Sequence, residues 1–179
     1  MTSANGNQAD EAATTGGSAA SWKLDPSSSS VAIQHKTIWG LATVRGSFGQ
    51  VSGSGEILPD GSGSGRLEIG AASLDTKNRQ RDKHLQSADF FQASEHPQIV
   101  VDLNRINRQG DSATAEGTLT VAGRSRPLAL TARITENSDS AITLAADTEI
   151  NRAHFGMTWN RLGMIKGNAQ VSVVARFVK

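Results

Sequence analysis

Cysteine is absent from the 179-residue chain, which excludes disulfide staples, thiol nucleophiles and cysteine-ligated metals together. Folding must then rest on side-chain packing and backbone pairing. Tyrosine is absent too, and aromatics make up only 4 %, so any interior has to be filled mainly by smaller side chains. Neither sign of charge dominates. The 18 Lys and Arg against 17 Asp and Glu leave a net charge of +1, which gives no bulk electrostatic reason to expect nucleic acid or an anionic membrane surface as a partner. Residues 1–21 (MTSANGNQADEAATTGGSAAS) contain no basic stretch followed by an apolar run, so neither a signal peptide nor an integral membrane span is read there. Gly, Ser, Thr, Ala and Asn without aromatics bury too little surface to offset the entropy of ordering. This predicts a disordered tail over 1–21 and a cytoplasmic protein, or an exported one if Met1 stands in place of a removed leader.

What is present, from Trp22 onward, is a period of two. Val31 and Ile33 share a face opposite Ala32 and Gln34, and His35 falls on the apolar side. Val44, Gly46 and Phe48 share the face of a following strand, and Leu67, Ile69 and Ala71 continue the pattern after the Pro59-Asp60-Gly61 turn. Ile99, Val101 and Leu103 follow Pro97; Ala113, Ala115, Gly117, Leu119 and Val121 alternate with Thr and Glu; and Val171, Val173, Ala175 and Phe177 form the last apolar face. One domain over 22–179 is predicted, all-β and antiparallel, of seven or eight hairpin-linked strands. A closed barrel is favoured over a sandwich, because only closure removes exposed edges and the frequent glycines suit the bends it needs. The inward faces use many Ala, Val and Gly. They imply either an unfilled apolar lumen or an ordinary two-layer core.

The even texture breaks once, at Ser73 to Phe91 (SLDTKNRQRDKHLQSADFF), which predicts one short helical insertion near residues 76–87. Its donors outnumber its acceptors, so it could hold the polar head of a ligand at the rim of an apolar interior. Thr76, Asn78, Arg81 and His84 are the first candidates for head contacts, with Arg45 and Arg152 behind them. Phe90 and Phe91 would plug the barrel end, and Trp39 and Trp159 would line its mouth. Each has a structural alternative: an Arg81–Asp82 ion pair, an N-cap at Asp75 or Thr76, and a hydrogen-bonding role for His84. The four histidines show no metal-ligand spacing, the run Gly61–Gly65 lacks the Lys-Ser/Thr of a phosphate loop, and no nucleophilic triad or base-stacking pattern is found. No catalytic residue, metal or cofactor is therefore assigned.

Trp22-Lys23-Leu24-Asp25, Ser30-Val31, His35-Lys36, Gly46-Ser47-Phe48, the SLDTKNRQRDKHLQSADFF segment with His96-Pro97, Gly117–Gly123, Asn151-Arg152 and Phe155-Gly156 together resemble the YceI-like family. The resemblance runs from Trp22 to Lys179. It implies a bacterial, lipocalin-like barrel of about eight strands that binds a long-chain isoprenoid lipid, a polyprenyl pyrophosphate or an isoprenoid quinone, and that often forms homodimers. Three features depart from that pattern: no recognisable signal where many relatives are exported, Ile99-Val100-Val101 where an aromatic is frequent, and Lys166-Gly167-Asn168 where an acidic residue is expected. Two function classes follow. The first is non-catalytic transport or storage of the lipid; the second is an enzyme acting on an amphiphile, with His84 as general base oriented by Asp82.

Overall fold

The computed structural model describes residues 18–179. In it the alternating stretches become β1 (Ala20–Leu24), β2 (Ser30–Thr37), β3 (Ala42–Phe48), β4 (Val51–Ile57), β5 (Ser62–Gly70), β6 (Leu74–Asp75), β7 (Gln98–Gln109), β8 (Ser112–Val121), β9 (Arg124–Asn137), β10 (Ala141–Ile150) and β11 (Lys166–Val178). One α-helix, α1 (Arg79–Leu85), lies between β6 and β7. The strand order β1-β4-β5-β7-β8-β9-β10-β11 returns to its start through a β1–β11 pairing, with β2, β3 and β6 continuing the sheet beside β11. β1 with β2, β3 with β4 and β5 with β6 are each one pass of the chain broken by a kink. The eleven segments therefore make eight antiparallel passes of a closed barrel, as the alternation and the hairpin spacing predict.

Closure depends on one exchange of partners. β11 pairs with β2 as far as Val174 and with β1 at Phe177 and Val178. Between β1 and β2 the chain turns through a short 3-10 segment, Pro26–Ser28, with Pro at its start where a missing N–H costs nothing. Asp25 holds that kink: its Oδ1 accepts from the Ser27 amide at 3.0 Å and the Ser27 hydroxyl at 2.6 Å. Its Oδ2 faces Arg176 at 3.3 Å, and Arg176 also reaches Glu136 at 2.9 Å. The hydroxyls of Ser27 and Ser28, and then the Arg176 contact, draw the Asp25 pKa from 3.8 down to about 2.

Where the backbone comes closest, small residues are required. The β8–β9 hairpin turns on Ala122 (φ 48°) and Gly123 (φ 70°), the left-handed pair that matches strand twist. The β7–β8 ladder slips register between Leu103 and Arg105, so Ile106, not Arg105, returns to the inside. At this bulge Gly117 is obligatory, because a Cβ there would lie 1.9 Å from the Asp102 carbonyl oxygen. The helix is shorter than the 76–87 expected, and the 22–179 boundary falls inside β1, since Ala20 and Ser21 already pair with β4. Of the expected 1–21 tail, residues 1–17 lie outside the described residues.

The core divides in two. Val31, Phe48, Ile69, Leu74, Phe91 and Leu119 belong to a large cluster toward the helix-bearing end, and Trp22, Ile134 and Ile142 form a smaller one at the opposite end. Because the folded state holds Asp25 ionised below its unfolded pKa, the stability it contributes is complete above about pH 4 and is lost as pH falls toward about 2. Asp25→Asn is expected to melt below the wild type at neutral pH, with the gap closing across that acid window. Thermal denaturation followed by circular dichroism at stepped pH measures it, and a gap independent of pH contradicts the assignment.

Candidate functional site

Inward-facing Ala and Val side chains are interspersed among Leu, Ile and a few aromatic residues on the wall of the eight-pass barrel, and together they do not fill its interior. A cavity of about 480 Å3 occupies the lumen, walled by residues such as Val31, Leu67, Leu119, Ala146, Val171 and Val173. A second cavity, of about 560 Å3, lies under α1 and is lined by His35, Leu74, Thr76, Asn78, Arg81, His84 and Trp159 among others. Ile33, Phe91, Met157 and Ala169 line both, so the two adjoin through shared walls.

The rim segment is held by hydrogen bonds among its own residues. Asn78 is the N-cap of α1, accepting from the Arg81 amide at 3.0 Å, so the cap falls on neither Asp75 nor Thr76. Thr76, 4 % exposed, is the hub: its amide and hydroxyl donate to Asp82 at 2.9 and 2.5 Å. Arg81 in turn donates to the Thr76 hydroxyl at 2.7 Å and its carbonyl at 2.6 Å. Arg81 and Asp82 thus meet through Thr76 rather than as the direct ion pair that stands as the structural alternative for Arg81. Asp75 pairs with Lys77, whose left-handed backbone (φ 62°) makes the bend into the helix.

His84 does not face Asp82. Its Nε2 lies 3.1 Å from Asp89, and its ring stands edge-on to Phe90 and Trp159 at centroid distances of 5.2 and 4.6 Å. The Asp82–His84 acid–base pair of the enzyme reading is therefore not formed, because Asp82 is engaged by Thr76. Phe90 and Phe91 are buried in the core, Phe91 packing edge-on against Phe48 at 6.1 Å. Both also line the cavity under α1.

Deeper in, two polar groups sit among apolar walls. Both ring nitrogens of His35 are buried without a hydrogen-bond partner among the described residues. Burial, and then the Arg152 charge, push the His35 pKa below 6.5, while the nearby Asn168 backbone opposes the shift without reaching hydrogen-bond geometry. Arg152 borders the lumen cavity and donates one guanidinium nitrogen to the Met157 and Trp159 carbonyls at 2.8 and 2.7 Å. Its remaining N–H groups have no protein acceptor among the described residues, and burial lowers its pKa.

The structure thus gathers Thr76, Asn78, Arg81, His84, Phe90, Phe91 and Trp159 around the outer cavity and sets Arg152 against the inner one. Arg45 is not among them: it alternates with the inward Val44 and Gly46 and points outside the barrel. Trp39 lines neither cavity and is 55 % exposed. Residue type alone does not single out His35; the signal in the sequence is the alternation of β2, which puts it on the apolar face. Among the described residues no cluster of three His, Cys, Asp or Glu could hold a metal ion.

A family model described as the YceI-like domain matches residues 22–177. Among curated relatives, a UPF0312 protein of Pectobacterium atrosepticum is 36 % identical over 73 residues and Protein YceI of Escherichia coli O157:H7 is 34 % identical over 73 residues. Each match covers 41 % of this chain and 38 % of the relative's length. Among solved structures, Burkholderia cenocepacia BcnA superposes with a TM-score of 0.77 at 19 % identity, over 86 % of this chain and 98 % of that one. A polyisoprenoid binding domain from Saccharophagus degradans gives 0.71 at 15 % identity over 88 % and 97 %. Campylobacter jejuni YCEI protein gives 0.63 at 24 % identity over 76 % and 86 %.

His35 is held neutral by the fold, so the stability it contributes is complete above its unfolded pKa and is lost as pH falls below 6.5. In a nuclear magnetic resonance titration its ring resonances are expected to move with a midpoint below 6.5, and His35→Phe to remove that part of the acid sensitivity of the melting temperature. A midpoint above the ordinary value contradicts the burial argument.

Proposed function

The chain belongs to the YceI-like family, and we propose that it binds a long-chain isoprenoid lipid, a polyprenyl pyrophosphate or an isoprenoid quinone, for carriage or storage rather than for chemistry. One observation carries this reading: an apolar, unfilled barrel interior adjoins an outer cavity, with His35 on the outer cavity and Arg152 on the inner one, each holding nitrogens that no protein group among the described residues engages. The chain of the lipid takes the lumen, where each buried CH2 contributes about 0.8 kcal/mol before ordering costs. Both cavities have volumes in the range that accommodates small-molecule ligands.

The polar head is the more selective part. Thr76, Asn78 and Arg81 are bonded to one another and to Asp82, and His84 to Asp89, so these groups shape the mouth. Arg152 and His35 are different: the ring nitrogens of His35 are buried without a partner, which is unfavourable until a ligand supplies one, and the half-buried Arg152 keeps N–H groups that no protein acceptor among the described residues engages. A guanidinium suits either a pyrophosphate or a quinone carbonyl. The polyisoprenoid binding domain of Saccharophagus degradans, which shares the fold, supports the ligand class. Nothing in the geometry favours the enzyme reading, in which His84 would need an orienting Asp82.

Arg152→Leu is expected to weaken binding of a polyprenyl phosphate by about tenfold to a hundredfold, the worth of a charge-assisted hydrogen bond. Binding of squalene, which has the chain and no head, should be unchanged. Fluorescence titration of the two ligands against wild type and variant checks this, with His35→Phe as a second variant that leaves the Met157 and Trp159 carbonyls bonded to Arg152. Equal losses for both ligands make Arg152 structural, and a wild type that takes up neither ligand contradicts the reading as a whole.

A further inference from the structure

At the helix-bearing end, two loops carry large apolar side chains outward instead of folding them in. Leu41 is 87 % exposed, Leu162 76 %, Trp39 55 % and Ile38 46 %. The β2–β3 and β10–β11 loops that carry them are tied together, the Trp39 amide donating to the Met164 carbonyl at 3.1 Å. The second loop is further fixed by Asn160, whose side-chain amide clasps the backbone N–H and carbonyl of Ile165 at 2.8 and 3.1 Å. Ile38, Trp39 and Leu162 all adopt left-handed backbone angles (φ 50°, 52° and 55°), a costly conformation for β-branched and bulky residues. Strain in a hydrogen-bonded loop that displays apolar groups to water has no return within the monomer.

The charge carried by these two loops and their flanking strand ends has one sign. Residues 35–49 and 150–170 contain no Asp or Glu, yet they include Lys36, Arg45, Arg152, Arg161 and Lys166. Lys36 and Lys166 are direct cross-strand partners between β2 and β11, both exposed, and neither forms an ion pair among the described residues. Like charges placed opposite one another are unfavourable without an anion nearby. The neighbouring carboxylates are already engaged: Asp75 by Lys77, Asp82 by Thr76, Asp89 by His84 and Glu149 by Asn168. The near-zero net charge of the whole chain conceals this local excess.

We propose that this rim docks on an anionic phospholipid bilayer, with Trp39, Leu41 and Leu162 entering the interface and Lys36, Arg161 and Lys166 meeting lipid phosphates. Aromatic and aliphatic groups flanked by cations match the chemistry of that surface. The rim is continuous with the outer cavity, because Ile38, Trp159, Met164 and Ile165 line that cavity's wall. A docked barrel would therefore open directly onto the lipid phase. The inference goes beyond the lumen reading and does not require it.

The test is flotation of the full chain with vesicles of phosphatidylcholine alone or mixed with phosphatidylglycerol, neither containing any isoprenoid. The chain is expected to float with the mixed vesicles only and to be released near 1 M salt, where the screening length is about 3 Å. Each cation contributes roughly fivefold in affinity at such a surface. Lys36→Glu with Lys166→Glu should therefore lower binding at least tenfold, and so should Trp39→Ser with Leu41→Ser, while uptake of a polyprenyl phosphate from detergent solution is unchanged. A wild type that ignores anionic vesicles overturns the proposal, as do variants that bind as well as wild type. Self-association through this face, lost in the apolar variant without any vesicle binding, assigns the rim to a second copy instead and also overturns it.

Discussion

Everything in this fold depends on the sheet meeting itself at β11. A row of eight antiparallel passes has two raw edges unless the last strand can hold the first, and here β11 does so by changing partners from β2 to β1 around the Asp25 kink. The carboxylate–guanidinium contact at that point is modest alone. Its importance is positional, because it fixes the bend that lets one long strand serve two segments of another pass.

Once the sheet is closed, its interior volume is set by backbone geometry, and the side chains must fill what they are given. Ala113, Ala115, Ala132 and Ala175 face inward and are buried, yet none is large enough to reach the far wall. The lumen therefore follows from closure combined with the alanines set among the larger inward side chains. The helix-bearing end shows the complementary logic. Its conspicuous charges satisfy one another around Thr76, whereas the less conspicuous His35, with both ring nitrogens buried, and the half-buried Arg152 keep unmet hydrogen-bonding capacity.

The barrel was legible because the period of two is a local property that each strand states on its own, and turns such as Ala122-Gly123 carry their own backbone requirement. The three kinks and the β7 bulge were not, since a register slip is decided by the neighbouring strand. Among the site residues, the stretch from Thr76 to Phe91 stood out by composition and does border the outer cavity. Its internal pairing is not legible in the sequence, because which side chain Asp82 meets depends on Thr76 turning inward through the Lys77 bend. Chemical type alone favours Arg45, but the alternation points it outward, and the same alternation points His35 in although its residue type alone does not single it out.

The most direct measurement of the central claim is intermolecular nuclear Overhauser effects between methyl-labelled protein and a bound polyprenyl phosphate. The account predicts contacts from the lipid chain to inward methyls such as Leu119, Val171 and Val173, and none to the outward Val174. Contacts confined to outward methyls, or a saturated sample with no contact to the inward set, would contradict it.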